Sequence, residues 1–130
     1  MEPHDIDALL DEPAARALID AMGARDDATL ALQSLDGRIL WATPMGATRM
    51  YERTLEEFVG QDAAGFIHPD DRINYERVLD HARRGETMRW TGQVMAGSGR
   101  YRSIRSVIWR IDQTSGEPAI LSLAFPVDGP

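Results

Sequence analysis

The chain has 130 residues, 43% of them apolar and 27% charged, which is the length of one domain and the composition of a packed core, not of a disordered or fibrous chain. Its 21 acidic residues against 14 basic ones leave a net charge of −7, which argues against nucleic acid or an anionic membrane surface as the main partner. The absence of cysteine excludes disulfides, thiolate nucleophiles, cysteine metal sites and cysteinyl-flavin photochemistry, and fits a reducing compartment.

The opening "MEPHDIDALLDEP" is acidic and has no basic patch before an apolar run, so it does not read as a secretory signal. No stretch approaches the roughly 20 apolar residues that span a bilayer, and the expected location is the cytoplasm. Ile6, Leu9, Leu10, Ala14, Leu18, Ile19 and Met22 recur at helical spacing on a charged segment. Pro13 splits that stripe into a short turn at residues 5–10 and a helix from Pro13 to a stop at Gly23.

"TLALQSL" and "RILWA", joined by Asp36-Gly37, predict a β-hairpin, because Asp-Gly supplies the positive φ of a tight turn. Residues 43–67 mix glycines with short helical patches, the clearest being "TLEEFVG", where Thr54 and Glu57 have the spacing of a capping box and Gly60 ends the turn. A longer helix follows from about Pro69 to Arg84, with Tyr75, Val78, Leu79 and Ala82 on one face and Gly85 as its stop. "TMRWTGQVM", "YRSIRSVIWRI" and "AILSLAF" then read as three antiparallel strands. The expected architecture is α+β, a five-stranded sheet with its helices inserted between strands two and three.

Three segments carry a resemblance. "LDGRILWATPMGATRMY", "TLEEFVGQDAAGFIHPDDR" and "GSGRYRSIRSVIWRIDQTSGEPAIL" resemble, in order and spacing, the opening hairpin, the central His-Pro-Asp-Asp segment and the last hairpin of PAS sensory domains, in particular the fold-3 subgroup. The resemblance runs from about Thr29 to Phe125, with Thr43 standing where the family often has Asn and Ser103 where it often has an aromatic residue. It implies a five-stranded antiparallel sheet in the order 2-1-5-4-3 with a small cavity between sheet and helices. The implied division is an N-terminal amphipathic flanking helix and linker at residues 1–28, the PAS domain at 29–126 and a tail at 127–130.

His68 is the first candidate for chemistry. With Asp70 or Asp71 it has the residue types of a general base or a metal site. The helix-start reading is the stronger one: with Pro69 in the first turn, both aspartates face unpaired amides and the positive end of the dipole. His81 lies on the helix that carries the axial ligand in haem-binding PAS domains, but only four residues before Gly85 and inside the charged run "HARRGE", so haem is not favoured. Flavin is not favoured either.

Alternation along "YRSIRSVIWRI" puts Ile104, Ser106 and Ile108 on one sheet face and Tyr101, Ser103, Arg105, Val107, Trp109 and Ile111 on the other. Both faces are apolar, so the outer one needs a cover. The N-terminal helix is the natural candidate, from this chain or from a second copy, which makes Ile6, Leu9, Leu10, Leu18, Ile19, Met22, Val107, Trp109 and Ile111 candidate interface residues of a homodimer. Trp41, Thr43, Met45, Met50, Tyr51, Phe58, Phe66, Val78, Trp90, Ile104, Ser106 and Ile108, with Ser122, are the candidates to line a ligand cavity.

The resulting expectation is a non-catalytic sensory or regulatory module of bacterial-type signal transduction. It takes a small molecule or partner protein and passes the signal through its flanking helix and dimer contacts to an output domain or partner. A ligand-free dimerisation module is the alternative, and a small cone-fold α+β enzyme using His68 is the third reading.

Overall fold

The computed structural model describes residues 13–22, 25, 27–113 and 117–127. The proposed turn at 5–10, the Gly23 stop and the candidate interface residues Ile6, Leu9 and Leu10 lie outside them. Helix α1 spans Pro13–Met22 and buries Ala15, Ile19 and Met22, one stripe at helical spacing. Proline opens it without cost because a first-turn N–H has no intrahelical acceptor.

Strands β1 (Thr29–Ser34), β2 (Ile39–Ala42), β3 (Met88–Met95), β4 (Tyr101–Ile111) and β5 (Ala119–Pro126) form one sheet in the order β2-β1-β5-β4-β3, every pair antiparallel. Gly37, at φ 92°, makes the first hairpin turn, a conformation that residues with a Cβ rarely adopt. Between β2 and β3 come α2 (Pro44–Tyr51), α3 (Leu55–Phe58), two 3₁₀ turns at Ala63–Phe66 and Pro69–Asp71, and α4 (Arg72–Arg83). The capping box of α3 is complete: Glu57 N–H donates to Thr54 Oγ1 at 3.2 Å and Thr54 N–H donates to Glu57 Oε1 at 2.8 Å.

One expectation is met in this interlude and one needs correction. The first of the helical patches expected within 43–67 is α2, whose Gly46 lets its backbone lie against Ala28 and Thr29. The long helix does not begin at Pro69. A 3₁₀ turn comes first, and the α-helix covers Arg72–Arg83, because both ends of the preceding turn are tied to the sheet. His68 N–H donates to Gln93 O at 2.9 Å, and Asp71 Oδ2 accepts from Gln93 N–H at 2.9 Å. Gln93 lies on the edge strand β3, so the His-Pro-Asp-Asp turn covers backbone groups that another strand would otherwise pair with. Asp71→Ala strips that cover. It should lower unfolding free energy by about 2 kcal/mol, as for a hydrogen bond to a charged group, and equilibrium urea unfolding checks it.

The β4 and β5 registers divide the core into two faces. Trp90 pairs with Ser106, Ala124 with Ser106 and Ala31 with Ser122, so these residues share the inner face under α2, α3 and α4. Leu30, Leu32, Leu121, Leu123, Val107, Trp109 and Ile111 share the outer face. Leu30, Leu32 and Leu121 there have no exposed surface. Their cover is α1, which packs on β1 and contributes Ala15 and Ile19 to the same apolar cluster.

Candidate functional site

Between the sheet's inner face and the helices lies a cavity of about 40 Å³. Ala31, Gln33, Ile104, Ser106 and Ser122 form its sheet wall with Trp90 and Val94; Tyr51, Phe58 and Phe66 close it from the α2–α3 side, Tyr75 from α4. Pockets for drug-sized ligands run to about 300–1,000 Å³, so neither haem nor flavin fits this one as it stands. Among the described residues no charged side chain lines it.

Its polarity is concentrated in a few groups. Gln33 is 4% exposed, and its Nε2 donates to the Tyr75 hydroxyl at 3.4 Å. Tyr75 in turn meets the Trp90 ring edge-on, centroids 5.3 Å apart. Among the described residues, Gln33 Oε1, the Trp90 indole N–H and Arg53 Nε are buried without a hydrogen-bond partner, Arg53 lying over the Phe66 ring, and each such group costs free energy.

Burial raises the hydroxyl pKa of both Tyr51 and Tyr75, that of Tyr75 to about 12, with the Gln33 hydrogen bond opposing the rise at Tyr75. A raised pKa means that the stabilisation is complete below the unfolded tyrosine value and is lost as pH climbs through the folded one. The phenolate absorbance of these two rings should therefore appear only together with alkaline unfolding above about pH 10, seen by following tyrosinate absorbance and circular dichroism in one titration.

Of the residues proposed for the cavity, Tyr51, Phe58, Phe66, Trp90, Ile104, Ser106 and Ser122 line it. The others have different surroundings. Trp41 pairs with Leu32 and so takes the outer face, because a bulge between Leu32 and Gln33 shifts the register by one residue. Thr43 is buried but its Oγ1 accepts from Leu30 N–H at 3.1 Å, bracing α2 against β1. Met50 is likewise occupied, its sulfur accepting from Thr29 Oγ1 at 3.0 Å. Met45 is 45% exposed, since it points from the first turn of α2 away from the sheet. Val78 and Ile108 are packed core.

Sequence reasoning missed Gln33 and Tyr75. Gln33 had a signal, an amide alone in the apolar run "TLALQSL"; Tyr75 was hidden within an ordinary helical stripe.

His68 does not reach the cavity. Its Nδ1 accepts from Asp70 N–H at 3.1 Å as the cap of the 3₁₀ turn, and its ring packs on Tyr101, centroids 4.4 Å apart. His81 pairs with Glu86 at 2.5 Å on the surface. Among the described residues no group of three His, Asp or Glu could hold a metal ion, and no helix is long and apolar enough to cross a membrane. At the outer face, Ile19, Met22 and Ile111 are buried within the chain, Leu18, Val107 and Trp109 only half so. Beside them Arg89, Arg105, Val107 and Phe125 line an open groove of about 310 Å³.

No protein-family model and no curated protein matches the chain. Solved structures do. The chain is similar to the PAS domain of an HTR-like protein from Haloarcula marismortui, at 15% identity and TM-score 0.70 over 89% of this chain and all of that one. The chain has the PAS fold. A similar match is a domain of a sensory box sensor histidine kinase/response regulator from Geobacter sulfurreducens, at 17% identity and TM-score 0.69 over 85% of this chain and 93% of that one. The PAS-B domain of Drosophila melanogaster Cycle, solved with bound ethylene glycol, aligns at 13% identity and TM-score 0.65 over 75% of this chain and 96% of that one. In the PAS fold the strand order and the helices between β2 and β3 follow directly from the register described above, and the cavity lies between those two layers.

Proposed function

We propose that this PAS domain is a non-catalytic sensory module of a signalling protein. A small molecule in the cavity shifts β1, and α1 carries the shift to an output domain or partner. One observation supports this above all: consecutive residues of β1 serve both sides of the sheet, Gln33 in the cavity wall and Leu32 in the fully buried layer beneath α1. A change in side-chain packing at Gln33 therefore has one residue to travel before it reaches the α1 contact. The half-buried strip of Val107, Trp109 and Leu123 would serve a second copy or a partner protein on the part of the sheet that α1 leaves open.

The test is mass spectrometry under non-denaturing conditions with light scattering, followed by hydrogen exchange across α1 with and without the recovered molecule. A bound small molecule whose removal changes α1 protection is the expected outcome. A ligand-free dimer would instead support the second reading, a dimerisation or interaction module with a filled core, which the small size of the cavity favours. The enzyme reading loses its main support, because the residue it needs, His68, caps a turn outside the cavity.

A further inference from the structure

The outer sheet face carries two arginines without a partner. Arg89 and Arg105 are exposed, and among the described residues neither makes an ion pair, a hydrogen bond or a ring contact. Register makes them neighbours: Arg89 pairs with Val107 and Arg105 with Thr91, so the two stand diagonally on one face, their Cβ atoms roughly 7 Å apart. On the next strand the same rows are apolar, with Leu123 opposite Val107 and Phe125 opposite Arg105. The open groove lined by Arg89, Arg105, Val107 and Phe125 is therefore basic toward β3 and apolar toward β5. Two like charges set side by side repel, and in a chain of net charge −7 no carboxylate of the described residues pairs with either.

We propose that this groove docks an acidic amphipathic helix of a partner protein, its apolar stripe on Val107, Leu123 and Phe125 and its carboxylates on Arg89 and Arg105. The inference rests on the interface reading of this face given above and names the partner's chemistry. A helix is the element that fits, because the groove lies on the face of the sheet, where α1 already packs over β1, whereas an added strand would pair at the edge of β3. Carboxylates three or four residues apart on such a helix have Cβ atoms about 5–6 Å apart, close to the spacing of the two arginine positions. Each guanidinium then takes its own carboxylate.

Other occupants fit less well. A second copy offering the same face would bring its own Arg89 and Arg105 onto the patch, since a two-fold interface is self-complementary, and like charges there cost affinity. Nucleic acid and anionic membranes are opposed by the net charge of −7, and two arginines neutralise few phosphates. Helix α1 buries one stripe only, Ala15, Ile19 and Met22, and packs at β1, two strands from the arginine of β4.

The probes are three synthetic helix-forming peptides of about 18 residues with one leucine stripe, flanked by Glu, Gln or Lys, residues of similar helix propensity. Each is titrated into the full chain, and the indole N–H signal of Trp109, two residues from Val107 on the same face, reports occupancy in nitrogen-edited NMR spectra, with Trp109→Phe assigning it by loss. The Glu peptide should bind saturably and about fivefold or more tightly than the Gln peptide, as two exposed charge pairs allow. Added salt should shrink that difference. The Lys peptide should bind weakest. In the double variant Arg89→Glu, Arg105→Glu the order of the Glu and Lys peptides should reverse, while the thermal midpoint shows the domain folded.

Equal affinity for the Glu and Gln peptides overturns the acidic class but leaves this face an interface. An unchanged peptide order in the double variant overturns the proposal too. Should that variant fail to fold, Arg89→Gln with Arg105→Gln replaces it and should bring the Glu peptide down to the affinity of the Gln peptide; a persisting difference overturns the proposal. Binding that appears only when Asp5, Asp7 and Asp11 are changed to Asn gives the groove to this chain's own N-terminal segment and overturns the partner reading. No saturable binding of any peptide overturns it as well. Self-association seen by light scattering and abolished by Val107→Glu then makes a second copy the occupant and upholds the interface reading, whereas a monomer at every concentration removes both.

Discussion

Gly46→Ala is expected to destabilise the domain by about 3 kcal/mol, with the first turn of α2 lifting from the sheet. The methyl group would lie 2.2 Å from the carbonyl oxygen of Ala28 and 2.8 Å from the Cα of Thr29. Both are backbone atoms. No rotamer change relieves such a clash, so either α2 or the start of β1 must move, and the two are joined by the hydrogen bonds of Thr43 to Leu30 and of Thr29 to Met50. Since domains of this kind are stable by roughly 5–15 kcal/mol, the variant should remain folded in water but unfold at a clearly lower denaturant concentration. An unfolding curve superimposable on that of the parent protein would show that α2 does not lie as described.

Ile19→Asp is expected to detach α1 without unfolding the sheet. Ile19 is 5% exposed, at the centre of the only stripe that α1 buries. Losing its burial removes about 2–3 kcal/mol, and a carboxylate at that position finds water only by leaving the sheet. Amides of α1 should then exchange fast while those of β4 and β5 stay protected. The uncovered Leu30, Leu32 and Leu121 would form an apolar surface continuous with Val107, Trp109 and Leu123. Self-association, read by light scattering at rising concentration, is the second expected sign. If α1 exchanges slowly in this variant, the route from cavity to helix proposed for signalling is wrong at its last step.

Both predictions concern contacts between separate elements, and it is there that the sequence had least to say. Local features were legible: the Asp36-Gly37 turn, the Thr54/Glu57 capping box, the stop at Gly85 and the alternation along β4 all follow from propensities and spacings within a few residues. So did the strand order, by way of the resemblance. His68 illustrates a local signal with a non-local use. Its place at a helix start was readable, whereas the role of Asp71 as cover for the edge strand depends on Gln93, 22 residues away.

The sequence by itself determined which segments become helices and strands, which strand residues alternate, and that the outer sheet face must be covered, because periodicity and turn chemistry are written in neighbouring residues. The tertiary structure alone decided which apolar residues meet. A bulge between Leu32 and Gln33 sends Trp41 to the outer face, and the packing of α4 on the sheet brings Tyr75 to Gln33 across 42 positions. A cavity is the space left over when every element has docked. Its size and its lining are set by register and packing distance, quantities that no single segment of the chain contains.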